Sequence, residues 1–320
     1  MKSELLRPKG GNLWCRKMNL SEPMMKIIMK TVKRIHPEIT MKLGHIIFSI
    51  PLHESNCKDL YKIGSANVCG KVGIAAGLDK NGKYTKFLSH FNPGFIVVGS
   101  TTPKKRIGNR PPRVARIMPY SMVNAMGLNN DGLPLVLSRV SRVNYPIFIS
   151  IAGFSLFEIE EQIIYLNKYS TNNIQGIEIN LSSPTYKDKW KDIIPTLASS
   201  KKQIFIKIGP RFKIEDYVRL ASKEGFGLVL TNTLPIEDQR ISAKRGGLSG
   251  LLLYRLSNYM IKKAREVGGN EIPIIGVGGI MSCKQLNDIL KYANAAEIYT
   301  AILYMGPGII SSLNLRCKNF

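Results

Sequence analysis

The chain is poor in acid and nearly empty of histidine. Its 320 residues carry 46 lysines and arginines against 22 aspartates and glutamates, for a formal charge of +24, with only four histidines. His36, His45, His53 and His90 show no ligand-like spacing, and the five cysteines (Cys15, Cys57, Cys69, Cys283, Cys317) include no C-x-x-C pair. A zinc site is therefore not expected. Odd in number and widely scattered, the cysteines read as thiols without a structural role. No apolar run approaches the roughly 18 residues of a membrane-spanning helix, and the opening "MKSELLRPKGGNLW" lacks the continuous apolar centre of a secretory signal. A soluble or peripheral chain in a cytoplasmic setting is the expectation. No G-x-G-x-x-G fingerprint follows the first strand-like run; "GLDKNG" does not match it, which counts against a doubly wound dinucleotide fold.

The positive charge suits a nucleic acid, an anionic membrane or an anionic ligand. Basic residues are spread along the whole chain and the aromatics lie mostly inside apolar runs. A nucleic-acid module concentrates the two on one element, so no nucleic-acid partner is expected. A catalytically silent, basic RNA-binding barrel is the non-enzyme alternative, and salt-sensitive RNA binding would be its mark.

A 44% hydrophobic composition allows a large core. Eight short apolar runs recur: "VGIAAG" from Val72, "GFIVVGS" from Gly94, "IFISIAG" from Ile147, "GIEINLS" from Gly176, "QIFIKIG" from Gln203, "GLVLTN" from Gly227, "IPIIGVGG" from Ile272 and "AEIYTA" from Ala296. Near-continuous apolarity marks strands covered on both faces. Between them lie helical patterns, among them the stretches from Ser155, Lys213 and Ser282, the last opening on a serine N-cap. Strand then helix, eight times, predicts an α/β fold of the (β/α)8 TIM-barrel kind. Residues 71–320 are assigned to the barrel and residues 1–70 to an N-terminal helical extension. That extension holds the amphipathic "SEPMMKIIMKTVKRI", with Ser21 as a cap. The stretch from Ser100 to Asn130 is too long for an ordinary loop, and long insertions on a barrel shape sites.

Barrel chemistry sits where the strands end. Those positions hold Asp79 and Lys80, Ser100 and Thr101, Ser150, Asn180 with Ser182 and Ser183, Lys207, Thr231 with Asn232 and Thr233, Gly278 with Gly279, and Tyr299 with Thr300. Amides, hydroxyls and lysines dominate, and carboxylates are almost missing. That excludes a paired-carboxylate glycosidase and a metal hydrolase. It suits a planar, hydrogen-bonding anion. "IIGVGGI", then "IYTA", and "RGGLSG", read as a glycine-rich turn before a helix, favour a phosphate-bearing cofactor.

Nine motifs, "AAGLDKNG", "GNRPPRVAR", "NAMGLNNDG", "INLSSP", "IKIGP", "LTNT", "GGLSG", "IIGVGGI" and "IYTA", stand in the order found in dihydroorotate dehydrogenases. The chain resembles that family from Val72 to about Pro307. The resemblance implies FMN in a barrel and oxidation of dihydroorotate to orotate in pyrimidine synthesis. It implies Ser183 as the catalytic base, and Lys80, Asn124, Asn180, Asn232, Thr233 and Thr185 around the substrate. Thr185 stands where the family commonly has an asparagine. For the flavin it implies Ala76, Gly77, Ser100, Ser150, Asn180, Lys207, Thr231, Gly247, Gly250, Gly278, Gly279, Tyr299 and Thr300. The extension with "HPEI", and Arg116, resemble the quinone-dependent, membrane-associated class 2. Arg116 matches a residue lining its quinone tunnel, so a quinone acceptor and peripheral contact with the cytoplasmic face of a membrane are implied. "ISIAG" and "IEIN" resemble the soluble class 1. Alternatives are a soluble or protein electron acceptor, or a related FMN barrel acting on another dihydropyrimidine.

Overall fold

The computed structural model describes residues 35, 37–48, 52, 55, 57, 60–181 and 190–317. The amphipathic stretch beginning at Ser21 lies outside them, apart from Ile35, as do Ser182, Ser183 and Thr185.

Among the described residues, eight parallel strands close into a barrel. Going round it they are β3 (Val72–Asp79), β4 (Ile96–Thr101), β7 (Ile147–Ile151), β8 (Ile174–Asn180), β9 (Gln203–Ile208), β10 (Gly227–Leu230), β13 (Ile274–Val277) and β14 (Ala295–Ile298), which pairs back onto β3. Each apolar run named above supplies one strand. Burial on both faces leaves no polar side to alternate with, so each strand reads as a continuous hydrophobic run.

The helices between them follow their end signals. Ser155 caps Leu156–Tyr169 by accepting the Glu158 N–H at 3.2 Å, and Ser282 caps Cys283–Leu290 by accepting from Gln285 N at 3.4 Å. Helix Ile214–Glu224 stops at Gly225, whose φ of 68° is a left-handed C-cap.

Inside the barrel, near the strand starts, Phe95, Phe148 and Phe205 stack with centroids 4.8 and 5.3 Å apart. They share a cluster with Ile63, Ala66 and Val68. Those three come from a hairpin, β1 (Tyr61–Ile63) and β2 (Ala66–Val68), that closes this end of the barrel. The hairpin lies within the segment assigned to the helical extension. Of that extension, helix Pro37–Phe48 is described.

At the opposite end a four-stranded antiparallel sheet lies over the strand termini, in the order β11 (Leu234–Glu237), β12 (Arg245–Gly250), β6 (Ser121–Asn124), β5 (Val114–Ile117). The long insertion thus supplies a hairpin. "RGGLSG" is a correction: it forms strand β12, not a turn. The reason is packing. A Cβ at Gly246 would stand 2.6 Å from Asn124 O, and one at Gly247 would collide with Thr233 Oγ1, so only glycine lets these strands approach.

The cysteine expectation also changes. Cys57 pairs with Cys69 and Cys283 with Cys317, across separations of 12 and 34 residues. The second bridge ties the start of helix Cys283–Leu290 to the end of helix Gly308–Arg316, and closing a loop of that size restricts the unfolded chain by about 4 kcal/mol. Oxidising surroundings preserve such bonds. Their partners meet only through the tertiary fold, so no local spacing announces them.

Candidate functional site

The barrel mouth is built by strand periodicity. Side chains two residues apart on a strand face the same way. Behind Asn180 on β8 therefore stands Glu178, and Glu297 on β14 lines the same cavity. Lys207 on β9, in register with Asn180, completes a charged cluster. Lys207 Nζ donates to Glu178 Oε2 at 3.1 Å and lies 3.5 Å from Glu297 Oε2, too long to satisfy that oxygen. All three are buried. Burial alone would lower the Lys207 pKa; the attraction of Glu178 and Glu297 overcomes it and holds the ammonium above its ordinary range.

A chain of hydrogen bonds runs from this cluster toward the mouth. Ser150 Oγ donates to Glu178 Oε1 at 2.8 Å and lies 2.8 Å from Ser100 Oγ. Asn180 Nδ2 donates to Ser100 Oγ at 3.1 Å, Asn232 Nδ2 to Asn180 Oδ1 at 3.0 Å, and Thr233 N to Asn232 Oδ1 at 2.8 Å. Since the Ser150 proton is committed to Glu178, Ser100 must donate to Ser150. Every donor in the chain points toward Glu178. The network fixes which edge each amide presents.

Lys80 enters from the end of β3. The preceding Asp79 is fully buried and accepts from Tyr84 N at 2.9 Å, Thr85 Oγ1 at 2.7 Å and Lys83 N at 3.0 Å, which anchors the turn. Lys80 Nζ donates to Asn129 Oδ1 at 2.7 Å. Burial pulls the Lys80 ammonium down to about 7; Arg113 adds repulsion and Glu38 opposes it. Asn124, from β6, faces Gly247 of β12 and donates to its carbonyl at 3.4 Å.

Away from these polar groups the cavity ends in glycine. Gly278 and Gly279 have φ of 129° and 74°, a backbone region closed to most side chains. A Cβ at Gly279 would stand 2.7 Å from Tyr254 Cβ. Tyr299, Thr300 and Ala301, at the start of helix Thr300–Met305, line the same end. Bare backbone and a helix start suit a phosphate.

The cavity, about 1050 Å³ with its open mouth included, gathers Lys80, Asn124, Asn180, Asn232 and Thr233 with Ala76, Gly77, Ser100, Lys207, Thr231, Gly250, Gly278, Gly279, Tyr299 and Thr300. Three expected residues stand apart from its lining. Ser150 is buried behind Ser100, and Gly247 packs against Thr233. Arg116 lies on β5, where it donates to Thr40 Oγ1 at 2.9 Å and to Ile35 O. Ser183 and Thr185 fall outside the described residues.

Sequence reading missed Asn129, the partner of Lys80, and the two buried carboxylates. The mouth is not as empty of acid as the strand ends suggest. A glutamate inside each of two buried strands was the visible signal for Glu178 and Glu297.

Comparison with known proteins agrees with this geometry. The model of the dihydroorotate dehydrogenase family matches residues 61–318. Dihydroorotate dehydrogenase (quinone) of Neisseria meningitidis serogroup A is 30% identical over 295 residues, covering 82% of this chain and 88% of the relative. That of Bordetella avium is 29% identical over 286 residues, covering 78% and 81%. Among solved structures, DHODH from Eimeria tenella in complex with ferulenol superposes with a TM-score of 0.76 at 23% identity, covering 87% of this chain and 90% of the other. With a closed eightfold barrel, a cavity that unites nearly all the motif residues, and a family match spanning most of its length, the chain belongs to the dihydroorotate dehydrogenase family.

Proposed function

We propose that the chain oxidises dihydroorotate to orotate, a proton leaving one ring carbon and a hydride its neighbour, with FMN as the hydride acceptor and a quinone as the terminal one. The observation that carries this reading is the convergence of Lys80, Asn124, Asn180, Asn232 and Thr233 in one cavity. A cation and paired amides match a ring that carries a carboxylate, an N–H and carbonyls.

The residues present fit FMN. Gly278, Gly279 and the start of helix Thr300–Met305 form a cradle for its phosphate, with Gly250, Tyr299 and Thr300 beside them. Ala76, Gly77, Ser100 and Thr231 border the space for the ring system, and Lys207 is the cation placed to stabilise added negative charge on it. When bound, FMN supplies two-electron oxidation. Ser150 and Gly247 act from behind, Ser150 by orienting Ser100 and Gly247 by admitting Thr233.

Ser183 is assigned the proton abstraction and Thr185 a substrate contact, both from the family resemblance. A serine hydroxyl is a weak base, so it depends on positioning and on a hydrogen-bonded outlet for the proton. Lys80 holds the substrate carboxylate. With its ammonium near 7, the anion meets a charged partner below that pH and must recruit a proton above it. Orotate affinity is expected to fall by up to tenfold per pH unit above about 7, read from the flavin spectral shift on orotate titration; a flat profile would remove Lys80 from the carboxylate.

The quinone assignment draws on the names of the relatives and on Arg116, tied to Thr40 of helix Pro37–Phe48. That helix exposes Ile39 and Ile46, and Met118 beyond β5 is also exposed. Such an apolar surface on a basic chain suits contact with an anionic bilayer. Among the described residues no helix is long and apolar enough to cross a membrane. Steady-state assays should show turnover with a soluble quinone well above that with fumarate or NAD. Preference for fumarate or NAD would overturn the acceptor assignment.

A further inference from the structure

The cluster beneath the cavity holds two carboxylates and one ammonium, and the two acids are not equivalent. Glu178 accepts from the Lys207 ammonium and from Ser150, and the directed chain from Thr233 also ends on it. Glu178 is thereby the ionised member. Glu297 lines the cavity, its side chain is 0% exposed, and neither of its oxygens accepts a hydrogen bond from any described residue. Among the described residues its one favourable charge contact is Lys207 at 3.5 Å, already engaged by Glu178. A second carboxylate anion here would be desolvated, unsatisfied and repelled by Glu178. One proton on Glu297 brings the cluster to neutrality and converts an orphaned acceptor into a donor.

The surroundings offer that donor little else. The flanking strands β13 and β3 contribute Val277 and Ala75 to the cavity wall. The charged groups acting on Glu297 are Lys207 and Glu178, while Lys80 and Tyr299 line the same cavity. We infer that Glu297 is held as a neutral carboxylic acid that donates a hydrogen bond to a carbonyl oxygen or ring nitrogen of the planar cofactor, so that cofactor binding requires one proton on this side chain. The inference rests on the FMN reading above.

Burial pushes the Glu297 carboxyl up to about 8, against the pull of Lys207 and with added repulsion from Glu178. Between the ordinary 4.5 and about 8, the folded chain keeps this proton while the unfolded chain has released it. Folding stability therefore falls as pH rises through that window.

The test uses full-length protein and the Glu297→Gln variant, which keeps the shape and an N–H donor but cannot titrate. FMN Kd, from the fluorescence released on dilution, is measured between about pH 6 and 10, together with the infrared C=O stretch of protonated carboxyl groups. The wild-type Kd should rise about tenfold per pH unit above about 8, and that of E297Q should stay level. The infrared band should fade with a midpoint near 8 and be missing from E297Q. A wild-type Kd as level as that of E297Q, or no such band at neutral pH, overturns the inference. If E297Q does not fold, the wild-type infrared titration decides by the same criterion. A wild-type chain that binds no FMN at any pH overturns the flavin reading and the ligand half of the inference with it, and the band then decides the proton alone.

Discussion

Ser183→Ala is expected to slow reduction of bound FMN by dihydroorotate roughly 10²–10⁴-fold, the range a positioned general base contributes. Flavin content and melting temperature should stay at wild-type values. Strand β8 leads into this position. Its last residue, Asn180, is fixed by hydrogen bonds to Ser100 and Asn232, and Ser183 follows three residues later, just before Pro184. Asn180 is assigned a contact with the substrate ring and Ser183 the hydroxyl beside its acidic carbon, as proposed above. Lys80, Asn124 and Asn232 are untouched by the change, so orotate should still bind and the loss should fall on the chemical step. Stopped-flow decay of the oxidised flavin absorbance reads that step alone. Ser183→Cys offers a more acidic side chain, and its rate profile should move toward the thiol range. Reduction of S183A at the wild-type rate would end the assignment.

Lys207→Met carries the largest expected cost in stability. Among the described residues the lysine is the one cation paired with Glu178 and Glu297, and all three are buried. Removing one partner of a buried pair costs about 3–5 kcal/mol, because the charge left behind has neither water nor counter-ion. For a chain of this size that is a drop of roughly 5–7 °C in melting temperature. FMN should be lost as well, since Lys207 faces the cavity and anchors the carboxylate on which the Asn180 and Asn232 network depends. Adding Glu178→Gln removes a stranded charge and should recover part of the stability. Thermal melts of the single and double variants, with flavin content measured beside them, check both statements. A K207M protein that melts within about 2 °C of wild type would show that the cluster carries little of the fold's stability.

The barrel was legible because each strand is buried on both faces and so announces itself as an unbroken apolar run bounded by glycine or polar residues. The cap at Ser282 was an equally local signal, while those at Ser155 and Gly225 emerged with the structure. The sheet across the mouth was not legible. β12 consists largely of glycine and serine, and its partners β11 and β6 lie far from one another in the chain, so neither periodicity nor composition marks it as a strand. The disulfides were hidden for the same reason, with Cys283 and Cys317 brought together by two helices that meet only in the folded chain. At the site, the asparagines and Lys80 became identifiable through their family motifs, since a lone loop asparagine has no distinguishing signal. Glu178 and Glu297 were legible in principle. A carboxylate inside a strand as apolar as "GIEINLS" or "AEIYTA" must answer to a buried partner, and Lys207 was that partner.

The most direct measurement is an anaerobic titration of the purified protein with dihydroorotate, followed in the visible flavin bands. The expected outcome is a yellow protein that bleaches with one equivalent of dihydroorotate per flavin, while dihydrouracil, which lacks the carboxylate that Lys80 would hold, leaves the colour intact. A protein that cannot be loaded with FMN, or a loaded one whose flavin dihydroorotate does not reduce, would contradict it.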